Sequence, residues 1–163
     1  MAVNYQELAT GKYFEDFEEG MVIKHAITRT VGEVENTLFS ALTYNCAWVH
    51  MDAEYCKTTE FGQRLVNSMF ILALVNGVGV HDTTLGTTIA NLGFNDVKFT
   101  APVFFGDTIY TETSVISKRE SKSRPGQGIV NFGVRAYNQR GETVCTMSRQ
   151  GLMIKRSSLP KQD

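Results

Sequence analysis

The sequence has little of several residue types that mark particular protein classes. Its 163 residues include three cysteines, three prolines and one tryptophan. Cys46, Cys56 and Cys145 form no CxxC pair, which argues against both a disulfide framework and a structural zinc site. This cysteine usage predicts a reducing, cytoplasmic location. The longest uninterrupted apolar run, Met69–Val75, is far too short to span a membrane.

The chain also lacks a charge bias. Sixteen Lys and Arg residues against seventeen Asp and Glu residues give a formal net charge of −1. No global field would attract nucleic acid or an anionic membrane, so we expect neither as a partner, and any anion-binding site must be local. The length suffices for a buried core without metal or disulfide support. We predict one domain over residues 1–163, with an ordered core over about 11–156 and loose ends on either side.

Helical patterns occupy the first half of the chain. Apolar residues recur at spacings of three and four over Val31–Leu42, which predicts a short amphipathic helix after a strand over Met21–Val31. Asp52 is a candidate N-cap for a brief helix over Ala53–Thr59. The stretch Leu65–Val80 is apolar on nearly every side, which is typical of a helix buried all round.

Beyond Gly86 the pattern changes to the two-residue alternation of strands. Four segments rich in Thr, Val, Ile, Phe and Tyr follow, at residues 87–100, 107–121, 128–139 and 142–156. Turn residues at 123–128 and 138–142 predict hairpins between consecutive strands. The fold class is therefore α+β: one long buried helix wrapped by a strongly curved antiparallel sheet.

Two loop residues are the first candidates for chemistry. His50 lies in the loop TYNCAWVHMD, and imidazole titrates near neutral pH. Asn45, five residues earlier, can orient a water or a carbonyl but cannot transfer a proton. Both also fit structural roles, His50 as a packed or surface histidine and Asn45 as a turn amide.

The start of the long helix is a second candidate. The run Asn67, Ser68, Met69 opens it, and the first N–H groups of a helix have no intrahelical acceptor, which suits an oxyanion. Asn67 or Ser68 is equally well explained as an ordinary N-cap.

The third feature is the charged segment SKRESKSRPGQG. Its basic residues outnumber Glu120 by three, and they are Lys118, Arg119, Lys122 and Arg124. A cluster of this kind suits phosphate groups, although a solvated hairpin face is the simpler interpretation. No Walker loop, GxGxxG, HExxH, GxSxG or metal-spaced cluster is present, so we expect neither a bound metal nor a dissociable cofactor.

Two separated stretches resemble a known family. TYNCAWVHMDAEYCKTTEFGQRLVNSMFILAL and the later FTAPVFFGDTIYTETSVISKRESKSRPGQG are similar to the MaoC-like dehydratases, the (R)-specific enoyl-CoA hydratase group of the hot-dog fold. The resemblance implies a central helix inside a curved sheet, an acyl-CoA substrate with coenzyme A as part of it, and an active site at a homodimer interface. It looks closest to the subgroup that handles mesaconyl-CoA, itaconyl-CoA and β-methylmalyl-CoA.

The resemblance also implies roles for individual residues. His50 stands at the family histidine, but Asn45 replaces the family aspartate, and Asn67-Ser68-Met69 replaces His-Gly-Met. His50 would be the general base, Asn45 would orient the water, and N–H groups near Ser68 and Met69 would polarise the thioester carbonyl. Because the subgroup's acyl groups carry a second carboxylate, Arg64 is a candidate to bind it, while the charged segment would meet the phosphates of coenzyme A.

Because Asn45 stands where the family has an aspartate, more than one catalytic arrangement fits the sequence. His50 would serve both proton transfers or be helped by another acid, for which Asp52 and Glu54 are candidates. The reaction would be reversible hydration of a 2-enoyl-CoA thioester. The alternatives are thioester hydrolysis, which the same fold also hosts, and non-catalytic binding of an acyl thioester.

Overall fold

The computed structural model describes residues 3–159; residues 1–2 and 160–163, which belong to the predicted loose ends, lie outside the described part. Five helices are followed by the four long strands. The helices are α1 (Glu33–Leu42), α2 (Trp48–Met51), α3 (Ala53–Cys56), α4 (Ser68–Val78) and α5 (Val80–Thr83). The strands are β1 (Val22–Lys24), β2 (Arg29–Thr30), β3 (Thr88–Phe99), β4 (Thr108–Glu120), β5 (Gln127–Tyr137) and β6 (Thr143–Ile154).

The sheet is antiparallel and confirms the four predicted C-terminal strands. Its order is β1-β4-β5-β6-β3, with β2 also paired to β4. The alternation in β5 buries Val130, Phe132, Val134 and Ala136 on one face, where Val134 and Ala136 belong to the core cluster that includes Ile71 and Val75 of α4. Register shifts interrupt the pairing of β3 with β6 at three places, and such bulges increase the bend and twist of a strand. The predicted curved sheet around a helix is therefore confirmed.

The central helix differs from its prediction in length and burial. It begins at Ser68, not Leu65, because the Asn67 side chain caps it by accepting the Met69 N–H at 2.9 Å. Ile71, Val75 and Val78 are buried, but Met69 on the opposite face is 55% exposed. The prediction of a helix buried on every side is wrong for a single chain, because the sheet covers one face only.

Helix α1 confirms the predicted amphipathic helix, with an unexpected orientation. Its apolar residues Val34, Leu38 and Leu42 are exposed, whereas the polar Asn36 and Ser40 are fully buried. The buried polar pair, four residues apart on one helix face, therefore faces the rest of the molecule.

The predicted strand over Met21–Val31 is broken at His25. The imidazole of His25 is buried, with Nδ1 2.9 Å from Asp82 Oδ2 and Nε2 2.8 Å from Thr113 Oγ1. Of this stretch, β1 and β2 pair with β4. The His25 N–H still donates to the Thr111 carbonyl at 3.1 Å, and the strand is interrupted from there to residue 28.

The sheet has two ends of different composition. At the pocket end, β3 finishes at Phe99 while β4 and β6 begin. At the hairpin end, β4 finishes at Glu120, β5 begins at Gln127 and the charged segment joins them. No helix within residues 3–159 is long and apolar enough to cross a membrane.

Candidate functional site

A cavity of about 290 Å³ lies at the pocket end, beside the N-terminus of α4. His50, Ser68 and Thr100 supply its polar side chains, while Phe61 and Phe99 are among its apolar walls. Two of the residues predicted from sequence, His50 and Ser68, therefore come together, although they are 18 positions apart.

The hydrogen bonds of His50 determine which ring nitrogen is available. Nδ1 lies 3.0 Å from the carbonyl oxygen of Leu65. A carbonyl can only accept, so Nδ1 carries the proton and Nε2 keeps its lone pair in the neutral ring. The Leu65 N–H donates in turn to the Val49 carbonyl at 2.9 Å, which ties the histidine loop to the segment before α4. The arrangement favours Nε2 as a proton acceptor.

The buried polar face of α1 holds the loop and the central helix together. Asn36 Nδ2 donates to the His50 carbonyl at 3.3 Å, and Asn36 Oδ1 accepts the Asn67 N–H at 2.7 Å. Ser40 Oγ accepts from Asn67 Nδ2 at 3.1 Å. Sequence reasoning missed Asn36 and Ser40. The available signal was their four-residue spacing on the polar face of a short amphipathic helix.

At the start of α4, only one of the three predicted residues lines the cavity. Asn67 is fully buried as the N-cap, and its side chain occupies the Met69 N–H. The expectation that the Met69 N–H polarises a substrate carbonyl is therefore corrected, because that donor already has an acceptor. The Ser68 N–H makes no hydrogen bond to the described part of the chain and remains available at the cavity wall.

The polar residues predicted from sequence in and after the histidine loop make hydrogen bonds or ion pairs with their near neighbours in the chain. Asn45 Oδ1 accepts the Ala47 N–H at 3.1 Å, and Asn45 does not line the cavity. Asp52 caps α3 by accepting the Tyr55 N–H at 2.9 Å, as predicted, although α3 ends at Cys56 and not at Thr59. Glu54 is exposed and pairs with Lys57.

Arg64 is anchored beside the cavity and does not line it. Its Nη2 lies 2.5 Å from Glu33 Oε1, and its guanidinium lies 5.2 Å from the centre of the Phe105 ring. Within residues 3–159, no Lys or Arg lines the cavity. The role of Arg64 in binding a second carboxylate stays a prediction.

The charged segment lies at the other end of the same sheet. Strand β4 is 13 residues long and runs from the cavity end of the sheet into this segment, a length of about 40 Å along the strand at ~3.3 Å per residue. Lys118 is used within the fold, since its Nζ donates to the Phe14 carbonyl at 3.3 Å and lies 4.9 Å from the centre of the Phe14 ring. The fold does not bring Lys118, Arg119, Lys122 or Arg124 to the cavity of their own chain.

Asp107 fixes the loop that forms one cavity wall. Its carboxylate accepts the Phe104 N–H at 3.1 Å, Gln139 Nε2 at 2.8 Å and Arg140 Nη1 at 2.7 Å. Burial alone would raise the pKa of Asp107, but these hydrogen bonds and the charge of Arg140 hold that pKa below its ordinary value. The carboxylate therefore stays ionised and clamps residues 104–107 near neutral pH.

Comparison with known proteins identifies the family. The family model of the MaoC like domain matches residues 16–137. The chain belongs to the MaoC-like dehydratase family. A mesaconyl-CoA hydratase from Cereibacter sphaeroides is 33% identical over 91% of this MaoC-like chain and 43% of its own length. An (R)-specific enoyl-CoA hydratase from Rhodospirillum rubrum is 30% identical over 63% of the chain and 69% of its own length.

Solved structures agree with this assignment and show the hot-dog fold. A MaoC domain protein from Chloroflexus aurantiacus superposes with a TM-score of 0.85 at 30% identity, over 94% of this chain and 43% of that one. A Mycobacterium tuberculosis protein with a double hot-dog fold gives 0.83 at 20% identity, over 94% and 47%. The MaoC-like chain spans about two fifths of the length of its first curated relatives, 43% and 41%.

Proposed function

We propose that this MaoC-like chain is a hydro-lyase that adds water reversibly to the double bond of a 2-enoyl-CoA thioester. One observation carries the proposal: the Leu65 carbonyl fixes the proton of His50 on Nδ1, at a cavity that also contains the N-terminus of α4. A base with a free lone pair and a helix N–H donor are the groups that hydration of a conjugated thioester needs.

His50 performs both proton transfers in this mechanism. Nε2 removes a proton from water while the water oxygen bonds to the β-carbon, and the double-bond electrons move toward the thioester oxygen. The Ser68 N–H stabilises the negative charge that develops on that oxygen. The imidazolium then returns its proton to the α-carbon, so one whole water molecule has been added. This assignment follows from Asp52 and Glu54 being engaged elsewhere.

A short acyl group suits the cavity best. Its volume of about 290 Å³ lies at the lower limit of the ~300–1,000 Å³ of ordinary small-molecule sites. The curated relatives at 33% and 31% identity are a mesaconyl-CoA hydratase and a β-methylmalyl-CoA dehydratase. We therefore propose a branched C5 dicarboxylic substrate such as mesaconyl-CoA, handled in the cytoplasm without a further cofactor.

A second copy of the chain completes the site in this proposal. Strand β3 is an edge of the sheet twelve residues long, and it exposes Ile89, Leu92 and Phe94. Long apolar edge strands pair readily with another strand. Phe99 at the end of β3 also lines the cavity, so a partner on this edge adjoins the site. The longer relatives, one with a double hot-dog fold, are consistent with two units acting together.

One panel of assays tests both the proposed substrate and the proposed role of His50 as the base. Hydration of crotonyl- and mesaconyl-CoA is followed by loss of the conjugated enoyl absorbance, and hydration of itaconyl-CoA by mass spectrometry, with free thiol measured in parallel. We expect wild type to hydrate mesaconyl-CoA fastest without releasing thiol, and His50→Ala to have a kcat about 10²–10⁴-fold lower. The variant His81→Ala is the control, because His81 is exposed and outside the cavity. Turnover confined to crotonyl-CoA would contradict the substrate, and thiol release would contradict the reaction.

Non-catalytic binding is the second candidate, favoured by one observation. Asn45 supplies an amide where the family has a carboxylate, and the structure uses its oxygen to cap the loop. A binding protein would saturate with mesaconyl-CoA and leave its absorbance unchanged. Gain of turnover in Asn45→Asp, from an inactive wild type, would support this second function.

A further inference from the structure

We propose that the hairpin residues Arg119, Lys122 and Arg124 of one subunit bind the phosphates of the coenzyme A whose acyl group lies in the partner subunit's cavity. This inference rests on the proposed hydratase function and deepens it by assigning the phosphate site to the opposite subunit. It follows from the direction of the strands, the unpaired edge of β3 and the distribution of positive charge.

The length of β4 separates the hairpin from the cavity of the same chain. The hairpin and the cavity lie at opposite ends of this strand, Thr108–Glu120, which is about 40 Å long at ~3.3 Å per residue. A coenzyme A ester would have to follow the whole strand to reach both. The charged residues that would hold its phosphates are too remote from the cavity of the same subunit.

Pairing through β3 reverses the two ends. In an antiparallel pair of identical strands related by a two-fold axis, Thr88 at the hairpin end lies beside the partner's Phe99 at its pocket end. From β5 to the partner's β3 the path crosses β6 and β3, three strand spacings or about 15 Å at ~4.8 Å each. The cavity lined by Phe99 is thus closer to the partner's hairpin than to its own.

The charge of the hairpin is available for a ligand. Within residues 3–159, Arg119, Lys122 and Arg124 take part in no ion pair, whereas the neighbouring Glu120 pairs with Lys155 at 2.5 Å. All three side chains are exposed or partly exposed. Arginine forks and lysine ammonium groups are the usual protein partners of phosphate. Lys118 is omitted because its ammonium group is held by the Phe14 carbonyl.

A mixed dimer provides the test. One subunit carries His50→Ala, and the other carries Arg119→Gln, Lys122→Gln and Arg124→Gln, with different affinity tags so that only the mixed dimer is isolated. If the hairpin acts across the dimer, one of the two sites has both an intact base and an intact hairpin, and activity returns to half that of wild type. If the hairpin acts within its own chain, no site has both, and activity stays at or below that of the hairpin-variant dimer.

Two measurements separate this inference from the proposed function. Calorimetric titration with coenzyme A alone is expected to give a Kd about 10–100-fold higher for the hairpin variant, the loss expected from removing charge-assisted hydrogen bonds. The KM for mesaconyl-pantetheine, which lacks the nucleotide phosphates, is expected to be unchanged. Lys24→Gln, an exposed charge on the opposite edge strand, is the single-charge control.

Each result has one interpretation. Unchanged coenzyme A affinity in the hairpin variant, or a mixed dimer with no recovered activity, would overturn the inference even if His50→Ala were inactive. Retained hydration by His50→Ala would overturn the proposed function, while the titration with coenzyme A still decides whether the hairpin binds phosphate. A monomeric protein with full activity would overturn binding across subunits.

Discussion

The two ends of the sheet carry different groups: the pocket end has a cavity with a histidine, and the hairpin end has a cluster of cations. The pocket end has a histidine, a helix N-terminus and an apolar cavity, but no Lys or Arg from residues 3–159 lines it. At the hairpin end, Arg119, Lys122 and Arg124 form no ion pair with any acid of residues 3–159, and the cavity there is about 150 Å³. An acyl-CoA ester needs both an apolar site for its acyl group and cations for its phosphates. This difference is the basis of our proposal that the two parts of one chain contact different substrate molecules in a dimer.

The largest effect is expected at the pocket end. Replacing His50 by Ala removes the proposed base from the cavity and should lower kcat about 10²–10⁴-fold, the usual contribution of a positioned general base. Circular dichroism should show an unchanged fold, and His81→Ala should retain wild-type kcat. A hairpin variant with a larger loss of kcat than His50→Ala would break the division between the two ends.

A smaller effect is expected at Asn36, which contacts the backbone carbonyl of His50. Asn36→Ala removes the hydrogen bonds to the Asn67 N–H and to the His50 carbonyl. The free energy of unfolding should therefore fall by about 1–3 kcal/mol. Because the contact to the His50 carbonyl is lost, kcat should fall as well, while KM changes little. Ser40→Ala is the matched variant, because Ser40 bonds Asn67 and not His50. Ser40→Ala should lower the free energy of unfolding and leave kcat unchanged. If kcat falls as far in Ser40→Ala as in Asn36→Ala, Asn36 acts only through stability.

The clamp at Asp107 should respond to pH. Its pKa is lowered in the folded protein, so its contribution to stability is present above the unfolded value of about 3.9 and is lost as the pH falls through the lower folded value. Asp107→Asn should be about 1–3 kcal/mol less stable than wild type at pH 7. Urea unfolding should show this difference shrinking below pH 4, and a constant difference would contradict the assignment.

The smallest effect is expected at Arg64. Its guanidinium pairs with the exposed Glu33, and such half-exposed pairs contribute about 0–1 kcal/mol. Arg64→Gln should therefore change stability and the KM for crotonyl-CoA little. A higher KM for mesaconyl-CoA alone would show that Arg64 turns from Glu33 to the substrate and would move a cation to the pocket end.

The sequence predicts features that depend on local pattern. Period-two alternation predicts all four long strands, the position of Asp52 predicts a cap, and the motif around His50 predicts a residue that lines the cavity. Orientation and distance were not predictable in this way. The burial of Asn36 depends on a contact with Asn67, 31 positions away. The remoteness of Arg124 from the cavity depends on strand direction, which no local pattern contains.

Isotope labelling distinguishes addition of water to the double bond from hydrolysis of the thioester and from binding alone. Mesaconyl-CoA is incubated with the protein in H₂¹⁸O, and the products are analysed by mass spectrometry. We expect one ¹⁸O in the hydroxyl group of an intact CoA thioester, formed about 10²–10⁴-fold faster by wild type than by His50→Ala. Label in a free carboxylate with released thiol, or unlabelled mesaconyl-CoA after saturable binding, would contradict the proposed hydration.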